Sequence, residues 1–275
     1  QGKRGNALQL ARAGINITAN APYWTFETVL ERIDRLSPYK KGEFYNYFMR
    51  KYTDANAKLY TSYTAHMESI GSAMARCFPD MAKQFGIIGR NPYEIYKAVM
   101  RKAEATALGT LKYKEDGVER EMQLTVANAM YIVAMWRQPR YREAMEGNGI
   151  TQEQINNLMQ SINKEHAGYI NFMDWVNTVL LPNTRLEYDE VYRKLNGGSL
   201  AKEENYFPAR VVTHEDVKLD ENGKGQLPSS PSALKERISH KTMPKMGTDY
   251  FKVLEAHIQD MDKWAAFAEL TADLN

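Results

Sequence analysis

The sequence predicts a mainly α-helical fold, an extended multi-helix bundle with one short β-hairpin at about residues 110–123. Apolar side chains recur every three or four residues along most of the chain, which is the spacing of one helix face. The hairpin is predicted from the dipeptide Asp116-Gly117, which stands between two segments of alternating polarity. Prolines and glycines interrupt every periodic pattern at about 199–247, which predicts a long irregular strap.

These patterns divide the chain into four parts. We expect an N-terminal arm at 1–24, a helical body at 25–198, the strap at 199–247 and a C-terminal helix at 248–275. The first residue is Gln1 rather than Met, and the last residues follow a helical pattern without a capping glycine. We therefore expect the C-terminal helix to continue into a longer chain.

The first half of the helical body is dominated by one long periodic segment. A short helix is predicted to end at Ser37-Pro38. From Tyr39 to Arg76 the apolar stripe continues without a proline, and His66 is one of its members. This stripe predicts one long helix, or two in series, that ends at Phe78-Pro79.

The second half of the body contains shorter elements. Asn91-Pro92 is predicted to begin a helix that ends at Gly109, and a strongly apolar helix follows the hairpin. Thr151 and Gln154 have the spacing of a capping box, which predicts a helix start. Pro182 is predicted to end the next helix, and Asn196-Gly197-Gly198 is predicted to end the last one.

Charge is unevenly distributed along the chain. The net charge is +2, but the first 60 residues contain 10 Lys and Arg against 5 Asp and Glu. Basic residues alternate there with tyrosines, a combination that occurs on surfaces that bind single-stranded nucleic acid. The candidate nucleic-acid face comprises Lys40, Lys41, Arg50, Lys51 and Lys58. The alternative is a solvated helix face whose tyrosines pack inside a bundle.

No catalytic residue, metal ligand or cofactor is predicted from the sequence motifs. The five histidines lack metalloprotease spacing, and no phosphate-binding or nucleophile-elbow motif is present. His257 and Asp260 lie one helical turn apart and could face a metal, although a half-exposed helical histidine explains them as well. Cys77 is the only cysteine, which excludes an internal disulfide, and we interpret it as a small buried hydrophobe rather than a nucleophile. No apolar run is long enough to span a membrane.

Residues 188–270 resemble a block found in very large internal proteins of tailed bacteriophages. Three groups of residues carry the resemblance: Glu204, Asn205, Tyr206, Phe207, Pro208 and Arg210; Ser230, Ser232, Lys235 and Arg237; Tyr250, Trp264 and Phe267. The similar proteins include the cargo proteins that crAss-like phages package and eject with their DNA, and the polyvalent proteins of other phages. The N-terminal part of the chain carries no such resemblance.

The resemblance implies a non-enzymatic segment of a virion protein, packaged as cargo or as an internal structural protein and delivered with the genome. Its partners would be portal, tail or capsid-interior proteins. It would lie inside the capsid or the portal and tail channel, and in the host cytoplasm after ejection. The alternative is an accessory nucleic-acid-binding domain of a large phage polymerase, helicase or methylase polyprotein.

The residues of the first group also have a physical interpretation of their own. Tyr206, Phe207 and Pro208 would anchor the strap by two buried rings, with Pro208 holding the backbone extended. Arg210 would then pair with a carboxylate or with backbone carbonyls. The alternative is that Arg210 binds a substrate.

Overall fold

The computed structural model describes residues 42–84, 92–115, 117–200, 202, 205–209 and 243–274. About three quarters of them are helical, and the remaining regular structure is one two-stranded antiparallel sheet. The prediction of a mainly α-helical chain with one short hairpin is therefore confirmed. The arm at 1–24 and most of the strap at 199–247 lie outside the described residues.

The described elements, with the labels used below, run in chain order. They are α1 (Glu43–Cys77), α2 (Pro79–Gln84), α3 (Pro92–Ala105), β1 (Ala107–Glu115), β2 (Val118–Thr125), α4 (Val126–Trp136), α5 (Pro139–Gly147), α6 (Gln152–Glu165), α7 (Ala167–Trp175), a π-helical turn (Val176–Leu180), α8 (Leu181–Asn196) and α9 (Tyr250–Leu274). Within the described part of 39–76, α1 is one helix rather than two in series.

The chain contains two compact units. One comprises Gln1–Tyr60 with Ala266–Asn275, and the other comprises Thr61–Ala265. In the first unit, the buried side chains of Phe48 and Leu270 form a small apolar cluster, against which Tyr52 and Phe267 pack with ring centroids 5.9 Å apart.

The core of the second unit is built around α4. Ten of the eleven residues of this helix are buried, so it is apolar on every side and not only on one face. Thr125 caps its N-terminus by accepting a hydrogen bond from the backbone N–H of Asn128. The apolar helix predicted after the hairpin is confirmed, and neighbouring helices and the hairpin supply the side chains that cover it.

The hairpin lies directly before α4 and contributes Leu111 and Leu124 to the core. Glu115 and Val118 form the pair next to the turn, and Gly117 has a φ of +79°. The prediction that Gly109 ends α3 is wrong, because α3 ends at Ala105. Gly109 lies instead in β1 with a φ of +101°, at an irregularity in the strand register that a glycine accommodates without steric strain.

The prediction that Pro182 ends a helix is also wrong. A π-helical turn over Val176–Leu180 links α7 to α8, and Leu181 donates its N–H to the carbonyl of Val176, five residues back. Pro182 is therefore among the first residues of α8, directly after a turn in which the hydrogen bonding has changed from i→i−4 to i→i−5. The predicted capping box at Thr151 and Gln154 is confirmed. The helix end predicted at Asn196-Gly197-Gly198 is confirmed too, because α8 ends at Asn196 and Gly197 follows in the left-handed conformation.

Candidate functional site

A cluster of polar side chains joins three helices inside the second unit. His66 comes from α1, Glu187 and Tyr188 come from α8, and Asp262 comes from α9. His66 Nδ1 lies 3.0 Å from Asp262 Oδ2, and His66 Nε2 lies 3.1 Å from Glu187 Oε2. The Tyr188 hydroxyl donates to Asp262 Oδ1 at 3.0 Å. We call these four residues the His66 cluster.

The cluster is buried at one end and open to solvent at the other. Asp262 is 1% exposed and His66 is 7% exposed, whereas the side chain of Glu187 is 61% exposed. The imidazole ring therefore connects a carboxylate inside the protein with a carboxylate at its surface. A buried ionised carboxylate is tolerated only when it is paired and hydrogen-bonded, and both oxygens of Asp262 have a partner here.

The surroundings favour the charged form of His66. Burial alone would lower the pKa of the imidazole, but the hydrogen bond and negative charge of Asp262, together with Glu187, raise it overall above its ordinary 6.5. Burial, reinforced by the charge of Asp262, raises the pKa of Tyr188 and keeps its hydroxyl protonated as a donor. Each ring nitrogen of His66 faces a carboxylate oxygen, so in this arrangement neither nitrogen is open to a substrate.

A second polar contact lies one helical turn away along α1. Glu255 Oε1 on α9 accepts hydrogen bonds from the hydroxyls of Tyr93 at 2.8 Å and Tyr63 at 3.3 Å. Burial and the charge of Glu255 raise the pKa of Tyr63 to about 12. Tyr63 and His66 are three residues apart on α1, so both contacts lie on the side of α1 that faces α9.

The predicted strap anchors lie against the helical body where the structure describes them. The Phe207 ring is 1% exposed and stacks on Tyr250 at a centroid distance of 4.4 Å with an interplanar angle of 16°. The buried Gln138 donates its side-chain N–H to the Phe207 carbonyl at 3.1 Å, which satisfies a backbone acceptor inside the protein. Pro208 is buried, and Tyr206 is half-buried with its ring 5.7 Å from His257. Arg210 lies outside the described residues.

Three of the five residues of the candidate nucleic-acid face are described, and all three lie on α1 in the first unit. At about 100° per residue, Arg50, Lys51 and Lys58 fall within an arc of about 100° around the helix axis. Tyr47 lies in the same arc and is 51% exposed, with the Lys51 ammonium 4.5 Å from its ring centre. The acidic side chain of Asp54 interrupts this arc. Lys40 and Lys41 lie outside the described residues.

The other residues that the sequence singled out have ordinary surroundings. Asp260 is exposed and His257 lies against Tyr206, and the described part of the chain contains no group of three or more His, Cys, Asp or Glu side chains that could hold a metal. Burial raises the pKa of the Cys77 thiol, and Arg76 offsets this only in part. None of the helices in the described ranges is long and apolar enough to cross a membrane.

Sequence reasoning did not identify the His66 cluster as a site, and it placed His66 only in the apolar stripe of α1. Asp262 follows the buried Met261 on the core-facing side of α9, and His66 belongs to the apolar stripe of α1. An ionisable residue on the apolar face of each of two helices was the available signal, because such residues are rarely buried without a partner. Glu187 and Tyr188 gave no comparable signal.

The functional interpretation rests on these residues and contacts. Comparison of the chain with protein-family models, with curated proteins and with solved structures found no match.

Proposed function

We propose that this chain is a non-enzymatic structural segment of a very large phage virion protein. It is packaged inside the particle, as cargo or as an internal protein, and is delivered with the genome. Its partners are portal, tail or capsid-interior proteins. The proposal starts from the resemblance of residues 188–270 to such proteins, and one structural observation carries it further.

That observation is the contact between two separate parts of the resembling block. Phe207 from the first group of matched residues stacks on Tyr250 from the third group, and both rings are buried. Tyr131 of α4 meets Phe207 edge-on, with ring centroids 6.4 Å apart. These two matched residues therefore pack on each other, and Phe207 also packs on the central helix of the core. Because the rings of Phe207 and Tyr250 are buried against each other in the core, these contacts favour a role in holding the chain together over a role in binding a small substrate.

The His66 cluster supports the same interpretation. Its hydrogen bonds join α1 and α9 through side chains that are 196 residues apart, and both ring nitrogens of His66 are engaged. A general base requires a nitrogen within reach of a substrate proton. In a structural link, by contrast, every donor and acceptor has a partner inside the protein.

Mass spectrometry of purified virions tests this function. Peptides of this chain are expected in particles purified by density gradient and treated with protease before opening. The control is the particle-free supernatant of the same lysate. Peptides found in the supernatant and in infected cells, but absent from protease-treated particles, would contradict the proposal.

A second candidate function is nucleic-acid binding through α1. It is favoured by the arrangement of Arg50, Lys51 and Lys58 on one side of the helix, with the exposed ring of Tyr47 among them. Bases stack on such rings, while the basic groups contact phosphates. The interruption by Asp54 makes this the weaker candidate.

A salt titration of affinity for single-stranded DNA and RNA tests the second candidate. If these residues contact phosphates, the logarithm of the binding constant falls steeply as the logarithm of salt concentration rises. The double change Arg50→Gln with Lys58→Gln is then expected to reduce the slope. Lys83→Gln removes an exposed lysine of α2 and serves as the matched control. A flat titration, or an equal loss in the control, would rule out this face.

A further inference from the structure

The two outer edges of the β-hairpin differ. The outer edge of β1 is covered: the Lys114 N–H donates to the carbonyl of Asn148 at 2.7 Å, and the Lys112 carbonyl accepts from the side chain of Gln154 at 3.2 Å. These contacts join β1 to Asn148, which follows α5, and to Gln154 in the first turn of α6. They also show which β1 residues direct their backbone groups away from β2.

The strand register then identifies the residues that do the same on β2. In an antiparallel pair, residues directly opposite each other alternate between those bonded to each other and those whose backbone groups point outward. Lys114 is opposite Glu119 and Lys112 is opposite Glu121, so both glutamates point outward, as does Gln123 two positions further on. All three are exposed, and no backbone hydrogen bond reaches them from another described residue. We call them the open edge.

The side chains at the open edge have a specific charge pattern. Glu119 and Glu121 project from the same face of the sheet, because they are two residues apart in a strand. Val118 and Arg120 project from the opposite face, and Val118 is 54% exposed. If another strand paired with the outer edge of β2, every second residue of that strand would lie next to Glu119 or Glu121. The residues between these would lie on the opposite face, next to Val118 and Arg120.

A second copy of this chain fits the open edge poorly. Antiparallel pairing of two copies centred on Glu121 would bring all three outward residues of each copy into register. It would also set the two Glu121 carboxylates directly opposite each other, and like charges in that position are destabilising. Charged residues on an edge strand commonly prevent such self-association. On this face the outward strand β2 presents two negative side chains, Glu119 and Glu121, while Lys114 and Lys112 lie opposite them on the covered strand β1. A strand added along β2 therefore lies next to the carboxylates and is favoured if its own charges are positive.

We propose that the open edge of β2 is a strand-addition site for an extended segment of another protein with lysine or arginine at alternate positions. The incoming backbone pairs with the N–H and C=O groups of Glu119, Glu121 and Gln123. Its basic side chains lie beside Glu119 and Glu121, and its intervening residues are small or apolar to match Val118. This inference does not depend on the phage proposal, since it uses only the register and the charges of the hairpin.

Amide hydrogen exchange tests the site with a defined probe. The probe is a capped nine-residue peptide that alternates lysine and valine, added to the full chain. The amides of Glu119, Glu121 and Gln123 are expected to become protected. Those of Arg120 and Met122, which already pair within the hairpin, are expected to stay unchanged. A peptide that alternates glutamate and valine is the control and is expected to give no protection.

Two matched variants separate backbone pairing from charge. Glu121→Ala removes one carboxylate and is expected to weaken peptide binding about two- to fivefold, the scale of one cross-strand charge pair. Glu121→Pro removes the same carboxylate and also the outward N–H, and is expected to weaken binding at least about tenfold. Proline is compatible with an edge position whose N–H faces solvent. Unchanged protection of Arg120 and Met122 confirms that the hairpin remains folded.

A charge reversal keeps the proposal testable if the proline variant disturbs the hairpin. Glu119→Lys with Glu121→Lys is expected to exchange the preference, so that the glutamate–valine peptide binds and the lysine–valine peptide does not. Binding of the lysine peptide that leaves the three outward amides unprotected would overturn the proposal. Equal binding to Glu121→Ala and Glu121→Pro would overturn it as well.

Discussion

Replacing His66 with leucine is expected to lower the free energy of unfolding by about 3–5 kcal/mol at neutral pH, the cost of removing one partner of a buried ion pair. Asp262 is 1% exposed, and after the substitution its Oδ2 atom has lost the imidazole that lies 3.0 Å away. Among the residues that the structure describes, the Tyr188 hydroxyl, which donates to Oδ1, then remains as its hydrogen-bond partner. Leucine fills a similar volume, so the loss reports the uncompensated carboxylate more than a cavity.

A second substitution identifies the source of this loss. In the double variant His66→Leu with Asp262→Asn, the carboxylate is replaced by a neutral amide whose oxygen still accepts from Tyr188. We therefore expect the double variant to be more stable than His66→Leu alone. Glu187→Gln is the control at the other ring nitrogen, and we expect a loss of about 0–1 kcal/mol, because the Glu187 side chain is 61% exposed. Urea denaturation followed by circular dichroism measures all four proteins.

The same cluster predicts how stability depends on pH. The pKa of His66 in the folded protein is raised above its ordinary 6.5, so folding favours the protonated ring. This contribution to stability is fully present below pH 6.5 and is lost as the pH rises through the pKa of the folded protein. The wild-type chain should thus lose stability above pH 6.5, while the double variant, which lacks both groups, should lose less.

Two results would refute this reasoning. One is a loss below about 1 kcal/mol in His66→Leu, which would mean that the Asp262 carboxylate is not an ionised buried group. The other is a double variant that is no more stable than the single one. A wild-type stability that rises between pH 6.5 and 8, relative to the double variant, would contradict the sign of the His66 pKa shift.

Two further predictions concern packing, and thermal or urea unfolding measures both. Gly168→Ala should destabilise the chain by at least about 1–3 kcal/mol, because the new Cβ would lie 2.3 Å from the backbone carbonyl oxygen of Cys77. Gly147→Ala is the control and should be neutral or stabilising by up to about 1 kcal/mol, because nothing lies within 4 Å of its new Cβ. Equal losses of stability in the two variants would contradict the steric contact with Cys77. Phe207→Ala should cost about 3–5 kcal/mol because its ring is 1% exposed. Tyr206→Ala should cost less stability than Phe207→Ala, because the Tyr206 ring is only half-buried. A larger loss for Tyr206→Ala would contradict the conclusion that the Phe207 ring, stacked on Tyr250, is the main anchor.

The features that the sequence predicted well are those decided by a few neighbouring residues. The capping box of Thr151 and Gln154 depends on two side chains three positions apart. The hairpin was predicted from the dipeptide Asp116-Gly117, and Gly117 adopts a positive φ between the paired residues Glu115 and Val118. Each of these signals involves residues no more than three positions apart, so it can be recognised in the sequence without knowledge of the fold.

The two wrong boundaries came from interpreting a single residue without its backbone context. Proline ends a helix when it removes an i to i−4 hydrogen bond, but the π-helical turn before Pro182 had already changed the bonding pattern. A glycine such as Gly109 can end a helix or occupy an irregularity in a strand, because both need a positive φ. The residue type is the same in both cases, and only the neighbouring elements distinguish them.

The candidate site could be predicted from the sequence only in part, and the reason is different. His66 could be placed on the apolar stripe of α1, but its partner Asp262 is 196 residues away along the chain. Which helices pack together is decided by the whole core, and no local pattern encodes it. The strap anchors were found through a resemblance, whereas the ring on which Phe207 stacks follows only from the fold.

The distance along the chain between His66 and Asp262, which contact each other in the folded protein, has a consequence for synthesis. At about 5–20 residues per second, a ribosome needs about 10–40 s to add the 196 residues that separate His66 from Asp262. During that interval the buried face of α1 has no α9 to cover it, and contacts so distant in sequence form slowly. The nascent chain therefore has a period in which this surface is open to chaperones, before α9 is synthesised and covers it.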